Sequence, residues 1–237
     1  MFARIVLAAA VLAAVAHSAF AATPEPVRRI PVFVVPYYAA GRSPDERPKV
    51  EVGRAFDHAL ASTTAPEIVQ ARDAIDAQPR TITPMTMMVL AIRLYDVGLR
   101  DDAVFWFYAA KARYITLEDV VDVNVPGLKS VSEAMKNFAR LAGPYINSYA
   151  FCDPDKQYAL MIKALDWVEK NPYDALFVER LAAKPGDRKA NLAQSIQRQR
   201  TSAADEHAKF KDPKFVIASL TDFSPGTLTS TTSSSVM

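Results

Sequence analysis

The residues best equipped for chemistry lie in one short stretch, Pro144-Tyr145-Ile146-Asn147-Ser148-Tyr149-Ala150-Phe151-Cys152-Asp153. It follows a Gly143-Pro144 break and mixes aromatic rings with amide and hydroxyl groups, the types that line small pockets and interfaces. Tyr145, Asn147, Tyr149 and Asp153 are the candidate binding residues. The competing reading is structural: a short packed helix whose Asp153 caps the next one. Cys152 is the sole cysteine, so the chain closes no internal disulfide, and a lone thiol of this kind is expected to be buried and inert. No local sequence marks it as an activated nucleophile.

Other candidates are sparse. Asp57 and His58 are neighbours on a helical stretch, where adjacent side chains point about 100° apart, so they form no oriented dyad. His58 is expected at the surface. His207, among Asp205, Glu206 and Lys209, is expected in solvent. The sequence holds no Gly-x-Ser-x-Gly elbow, Gly-rich phosphate loop, His-Glu-x-x-His pair or Cys-x-x-Cys pair. No catalytic residue is assigned, and no spacing implies a metal or other cofactor.

The elements that must position these residues begin after a leader. Arg4, the apolar run Ile5 to Ala16 and Ala19-Phe20-Ala21 follow the pattern of a secretory signal peptide over residues 1–21. Its apolar core is shorter than the roughly 20 residues that span a bilayer. The mature chain is thus expected to start near Ala22 and to be periplasmic or secreted. Lys and Arg total 28 against 26 Asp and Glu, and only Arg4 leaves with the leader. A near-neutral chain argues against nucleic acid and against a polybasic membrane surface as partners. No later apolar run has spanning length, so no transmembrane segment is expected in the mature chain.

Residues 22–49 read as an extended segment and loop. Ile30 to Val35 is β-branched and confined to an edge by Pro31. Residues 50–223 read as a single α-helical domain with seven or eight helices. Val52 to Ala61 has helical apolar spacing, Thr64-x-x-Glu67 is a capping box, and Thr83-Pro84 opens a helix that ends at Gly98. Asp101 is placed to cap a helix running to about Tyr114. Ser130-x-x-Glu133 is placed to cap another, with Val131, Ala134, Met135, Phe138 and Leu141 on its apolar stripe, ending at Gly143-Pro144. Asp153-Pro154 starts a helix that stops before Pro172, and Asp187 caps a long polar helix to about Phe210. Val121-Asp122-Val123-Asn124-Val125 alternates with period two and is expected to pair with Val32 to Val35 as a short two-stranded β element. The Ser/Thr-rich residues 224–237 read as a disordered tail. The fold class expected is mostly all-α.

Phe105-Trp106-Phe107-Tyr108 puts four aromatics around nearly the whole circumference of one helix. A helix apolar on every side is enclosed by neighbours, so this one is expected at the centre of the fold. Truncating Trp106 or Phe107 to Ala is then expected to cost about 3–5 kcal/mol.

Met87-x2-Leu90-Ala91-x2-Leu94-x3-Gly98-x4-Ala103-x3-Phe107-x2-Ala110 resembles one tetratricopeptide unit. Leu94-Tyr95-x2-Gly98 with Ala103-x2-Trp106-x2-Ala109-Ala110 is similar to the related Sel1-like repeat. The resemblance covers residues 84–115 and implies two antiparallel helices, with Ala91, Ala103 and Ala110 at close contacts and Leu94 and Phe107 as fillers. Met87 stands where the family's tryptophan is expected, and Ile115 where its closing proline is. A solenoid needs at least about three repeats, so a single repeat-like hairpin inside a globular domain is expected. The resemblance implies a scaffold often used to bind proteins.

These observations point first to an exported, non-enzymatic protein that binds another protein, as an accessory, inhibitory or immunity-type factor. An envelope-acting hydrolase using the carboxylates and tyrosines of residues 144–153 with Asp57 is the second reading. A small-molecule binding protein with a pocket between helices is the third.

Overall fold

The computed structural model describes residues 54–125 and 128–212. The expected signal peptide, the extended Ile30 to Val35 segment and the 224–237 tail lie outside them. Seven α-helices and one 3-10 turn follow in order: α1 (Arg54–Ala61), α2 (Ala65–Asp76), α3 (Pro84–Asp96), α4 (Arg100–Val120), α5 (Lys129–Ala150), α6 (Pro154–Lys170), the 3-10 turn (Asp174–Phe177) and α7 (Arg188–Phe210). The described residues are all-α, as the periodicity requires.

Local chemistry fixes several boundaries where the sequence places them. Thr83 Oγ1 accepts the amide of Thr86 at 3.1 Å and Pro84 opens α3. Asp153 accepts the amide of Lys156 at 3.0 Å, and Asp187 that of Ala190 at 2.9 Å. Each side chain satisfies a helical N–H that has no partner within its own helix. Gly98 turns the chain between α3 and α4 at φ 87°, a conformation that costs other residues a Cβ clash.

Other boundaries differ. At Thr64 the hydroxyl donates to Glu67 Oε2 at 2.9 Å instead of accepting a backbone amide, so the two side chains of the expected box bind each other. α4 begins after Leu99, not Asp101, and runs on to Val120 rather than Tyr114. Asp101 and Asp102 sit in its first turn, where negative charge is favoured by the helix dipole. α5 likewise starts after Leu128 rather than at a Ser130 cap, and it passes through Gly143-Pro144 without ending. Its buried stripe is Met135, Phe138, Ala142, Ile146 and Ala150, while Leu141 is 40% exposed and lies off it. That unbroken apolar row, at helical spacing on both sides of the proline, is what holds the helix together across it.

Among the described residues there is no strand. Val121 makes one antiparallel bridge with Ala183, flanked by Asp122 N–H to the Ala182 carbonyl at 2.9 Å and Lys184 N–H to the Val120 carbonyl at 3.0 Å. The described part of the period-two run thus pairs with the loop before α7, and its expected partner, Val32 to Val35, lies outside the described residues.

α4 is the centre of the molecule and packs against α3, α5, α6 and α7. Trp106, Phe107 and Tyr108 are all buried, and Phe105 is half-buried. Trp106 and Trp167 of α6 meet edge to face with centroids 5.3 Å apart. Arg113, fully buried on α4, donates to the carbonyls of Ile82 and Asn171 at 2.8 and 2.7 Å, which ties the entry of α3 to the exit of α6. No helix of the described residues is long and apolar enough to cross a membrane.

Candidate functional site

The four residues singled out from the sequence are dispersed among structural tasks. Tyr145 is half-buried and packs against the core. Asn147 Oδ1 accepts from Tyr108 Oη at 3.3 Å. Tyr149 Oη donates to Asp101 Oδ1 at 2.8 Å, and Lys156 Nζ reaches the same oxygen at 2.7 Å. Asp153 caps α6. Tyr149 and Asp153 do share a cleft of about 210 Å³ with Asp101, Cys152 and Lys156, whereas Tyr145 and Asn147 do not line it. The Lys156 ammonium is the main reason that Asp101 is held below the usual carboxylate range.

Three expectations for single residues resolve differently. His58 is exposed, as expected. His207 is not in free solvent: its ring stacks on Tyr158 with centroids 4.3 Å apart, and its Nε2 lies 2.7 Å from Asp155 Oδ1. The α6 neighbour supplied what the polar sequence around His207 did not predict. Cys152 is exposed rather than buried, because it falls in the turn between α5 and α6, with its thiol 3.2 Å from the Ser148 carbonyl.

A different feature occupies α4. Lys111 and Ile115, one turn apart, form a ridge with a concavity on each side. On the α6–α7 side a cleft of about 250 Å³ is walled by Tyr108, Met161, Leu165 and Ala203, with Gln199 and Glu206 at its polar edge. On the α5 side a shallower cleft of about 160 Å³ is lined by Tyr114, Met135 and Ala139, with Glu118 and Lys136 beside them. Both clefts open to solvent and both are mainly apolar.

Behind the larger cleft runs a hydrogen-bonded chain. Gln157 Nε2 donates to Tyr108 Oη and to Glu206 Oε1, each at 3.0 Å, and Tyr108 passes its own proton toward Asn147. Burial pushes the Tyr108 phenol up to about 12, with the Glu206 charge adding to it and the Gln157 bond opposing it. The Lys111 ammonium lies over the rings of Phe107 and Tyr108, 5.6 and 5.9 Å from their centroids. Burial lowers its pKa, and the Glu206 charge works in the other direction.

One feature of the sequence does mark this ridge. Lys111 is the one charged residue between Ala103 and Ala112, a stretch of α4 otherwise apolar all round. An ammonium in such a run must either be neutralised or face a place where its charge is wanted. Among the described residues no group of three His, Cys, Asp or Glu comes together as a metal site would need.

Comparison with known proteins places the chain beside an uncharacterized protein of Haemophilus influenzae. The two are 34% identical over 190 residues, which cover 80% of this chain and 73% of that one. No protein-family model matches the chain. No solved structure matches it.

Proposed function

This chain belongs to one family with the Haemophilus influenzae protein, and from that premise we propose that it is a non-enzymatic binding protein that seats a segment of another protein across α4. One observation carries this reading: the Lys111–Ile115 ridge with an open apolar cleft on either side. Grooves between packed helices receive the apolar face of a partner's segment, and burial of that face supplies most of the affinity. The ridge lies on the second helix of the α3–α4 hairpin, the part of the chain that resembles a tetratricopeptide unit, a scaffold suited to this use. The leader-like pattern of residues 1–21 supports a role outside the cytoplasm, as an accessory, inhibitory or immunity-type factor.

The hydrolase reading draws less support. A carboxylate pair for general acid and base work needs one member with a raised pKa. In the Asp101–Asp153 cleft, Asp101 is shifted the opposite way, and Asp153 is already engaged as a cap. An enclosed small-molecule pocket would need walls on all sides, and both α4 clefts are open.

The test is a photo-crosslinking amino acid at Ile115 of the full chain, expressed in its native host, with the same label at exposed Leu141 of α5 as control. Adducts to a discrete protein from position 115 and none from position 141 are expected. Position 115 giving no protein adduct, or the same adducts as position 141, would end the reading.

A further inference from the structure

We infer that the segment seated across α4 carries an aspartate or glutamate flanked on both sides by apolar residues, and that its carboxylate pairs with the Lys111 ammonium. The inference rests on the binding reading above and adds the chemistry of the occupant. Lys111 has three donors and no acceptor within hydrogen-bond or ion-pair distance among the described residues; ring faces at 5.6 and 5.9 Å are its near company. Glu206 and Glu118 border the clefts, and the Glu206 charge acts on Lys111 from a distance, but neither carboxylate comes within ion-pair reach of its ammonium. Glu206 accepts from Gln157 at 3.0 Å, and Glu118 accepts from Tyr114 Oη at 2.6 Å. A carboxylate in direct contact with Lys111 is thus left for the occupant to supply.

The position of Lys111 decides what kind of occupant that is. It stands on the ridge between two apolar clefts, so a ligand filling both must be apolar on each side of its negative group. An amphiphile with one terminal head and one tail fills one cleft and leaves the other wet. A peptide supplies the required order directly, through side chains that share one face at i and i+2 of a strand or i and i+3 or i+4 of a helix. Covering the pair with apolar contacts would also strengthen it, since water screens an exposed ion pair.

The experiment selects random displayed peptides on the purified full chain and, in parallel, on Lys111→Met. The wild-type protein is expected to enrich apolar–acidic–apolar peptides, and Lys111→Met to lose the acidic position while keeping the apolar ones. A synthetic peptide from the wild-type pool is then titrated by fluorescence anisotropy. Replacing its acid by the amide, or Lys111 by Met, is expected to weaken binding by about tenfold or more, and both together by no more than either alone. Lys111→Arg, which keeps the charge, is expected to retain most of the affinity, and circular dichroism of each variant checks that it is folded. Enriched peptides without an acid, or two losses that multiply, would overturn the pairing and leave the binding reading standing. Failure to enrich any peptide that Ile115→Glu abolishes would overturn the binding reading itself.

Discussion

Arg113 holds its guanidinium carbon 4.7 Å from the ring centroid of Trp167, so a fully buried cation is met by a π face instead of a carboxylate. Two carbonyls, of Ile82 and Asn171, take its Nη protons at 2.8 and 2.7 Å, and Tyr173 stands 5.5 Å away on another side. Burial pulls its pKa down to about 10, which leaves it charged at neutral pH. The planar fork is what lets one side chain reach both carbonyls while stacking on an indole, and an ammonium reproduces neither geometry. Arg113→Lys should therefore destabilise the protein by about 2–4 kcal/mol, read from urea unfolding midpoints at constant slope. A change within experimental error would mean that the carbonyls find other donors.

Tyr108 gives a pH dependence with a defined sign. Its folded pKa, about 12, is raised from the ordinary 10. Below pH 10 the phenol is neutral in both states, and its hydrogen bonds stabilise the fold in full. Between pH 10 and 12 the unfolded chain loses the proton while the native chain keeps it, so stability falls as pH rises. The two-unit gap corresponds to about 2–3 kcal/mol at most. Tyr108→Phe, which breaks the Gln157–Tyr108–Asn147 chain, should be less stable than the wild type by about 1 kcal/mol at pH 8. That difference should close and then reverse as the pH approaches 12, because the variant has no phenol to ionise. Arg113 and Lys111 also titrate in alkali but are common to both proteins and cancel in the comparison. A difference that stays constant with pH would show that the phenol titrates as if it were in water.

Much of the fold was legible because it depends on short-range chemistry. Thr83-Pro84, Asp153-Pro154 and Asp187 each carry a side chain that meets an amide three residues on. The Phe105–Tyr108 run announces a helix enclosed by neighbours, and α4 has four helices packed against it. What was not legible depends on residues far apart in sequence. The period-two run at Val121 pairs with Ala183, a partner about sixty residues away that has no strand pattern of its own. His207 is withdrawn from solvent by Tyr158 and Asp155 of α6. Tyr145, Asn147, Tyr149 and Asp153 drew attention as polar and aromatic neighbours in sequence, yet as a helix and its following cap they point to different partners. The Lys111 ridge exists only because α5 and α7 stand on either side of α4.

Pro144 is where local rule and tertiary packing disagree most openly. A proline inside a helix lacks the amide that would bond to the carbonyl four residues earlier, here Arg140, and its ring crowds that carbonyl, at a cost of about 3 kcal/mol. α5 accepts that cost because Phe138, Ala142, Ile146 and Ala150 bury one continuous face. Pro144 itself is exposed, so no packing is lost if it is replaced. Pro144→Ala should raise stability by about 1–3 kcal/mol, seen as a higher melting temperature with unchanged helical dichroism. A lower melting temperature would show that the proline at this position is itself required for the packing of α5 on α4.

Cys152 separates the two candidate surfaces. Being exposed, it should react with one equivalent of a maleimide in native protein, without denaturant. A bulky maleimide there occupies the cleft of Asp101, Tyr149, Asp153 and Lys156, whereas the Lys111–Ile115 ridge shares none of that cleft's lining. Binding across the ridge should therefore survive the label with its affinity unchanged, measured on the same peptide before and after modification. Loss of binding on labelling, with the fold intact by dichroism, would move the interface to the corner between α5 and α6. The tyrosines and carboxylates of residues 145–153 would then be the groups that meet the partner.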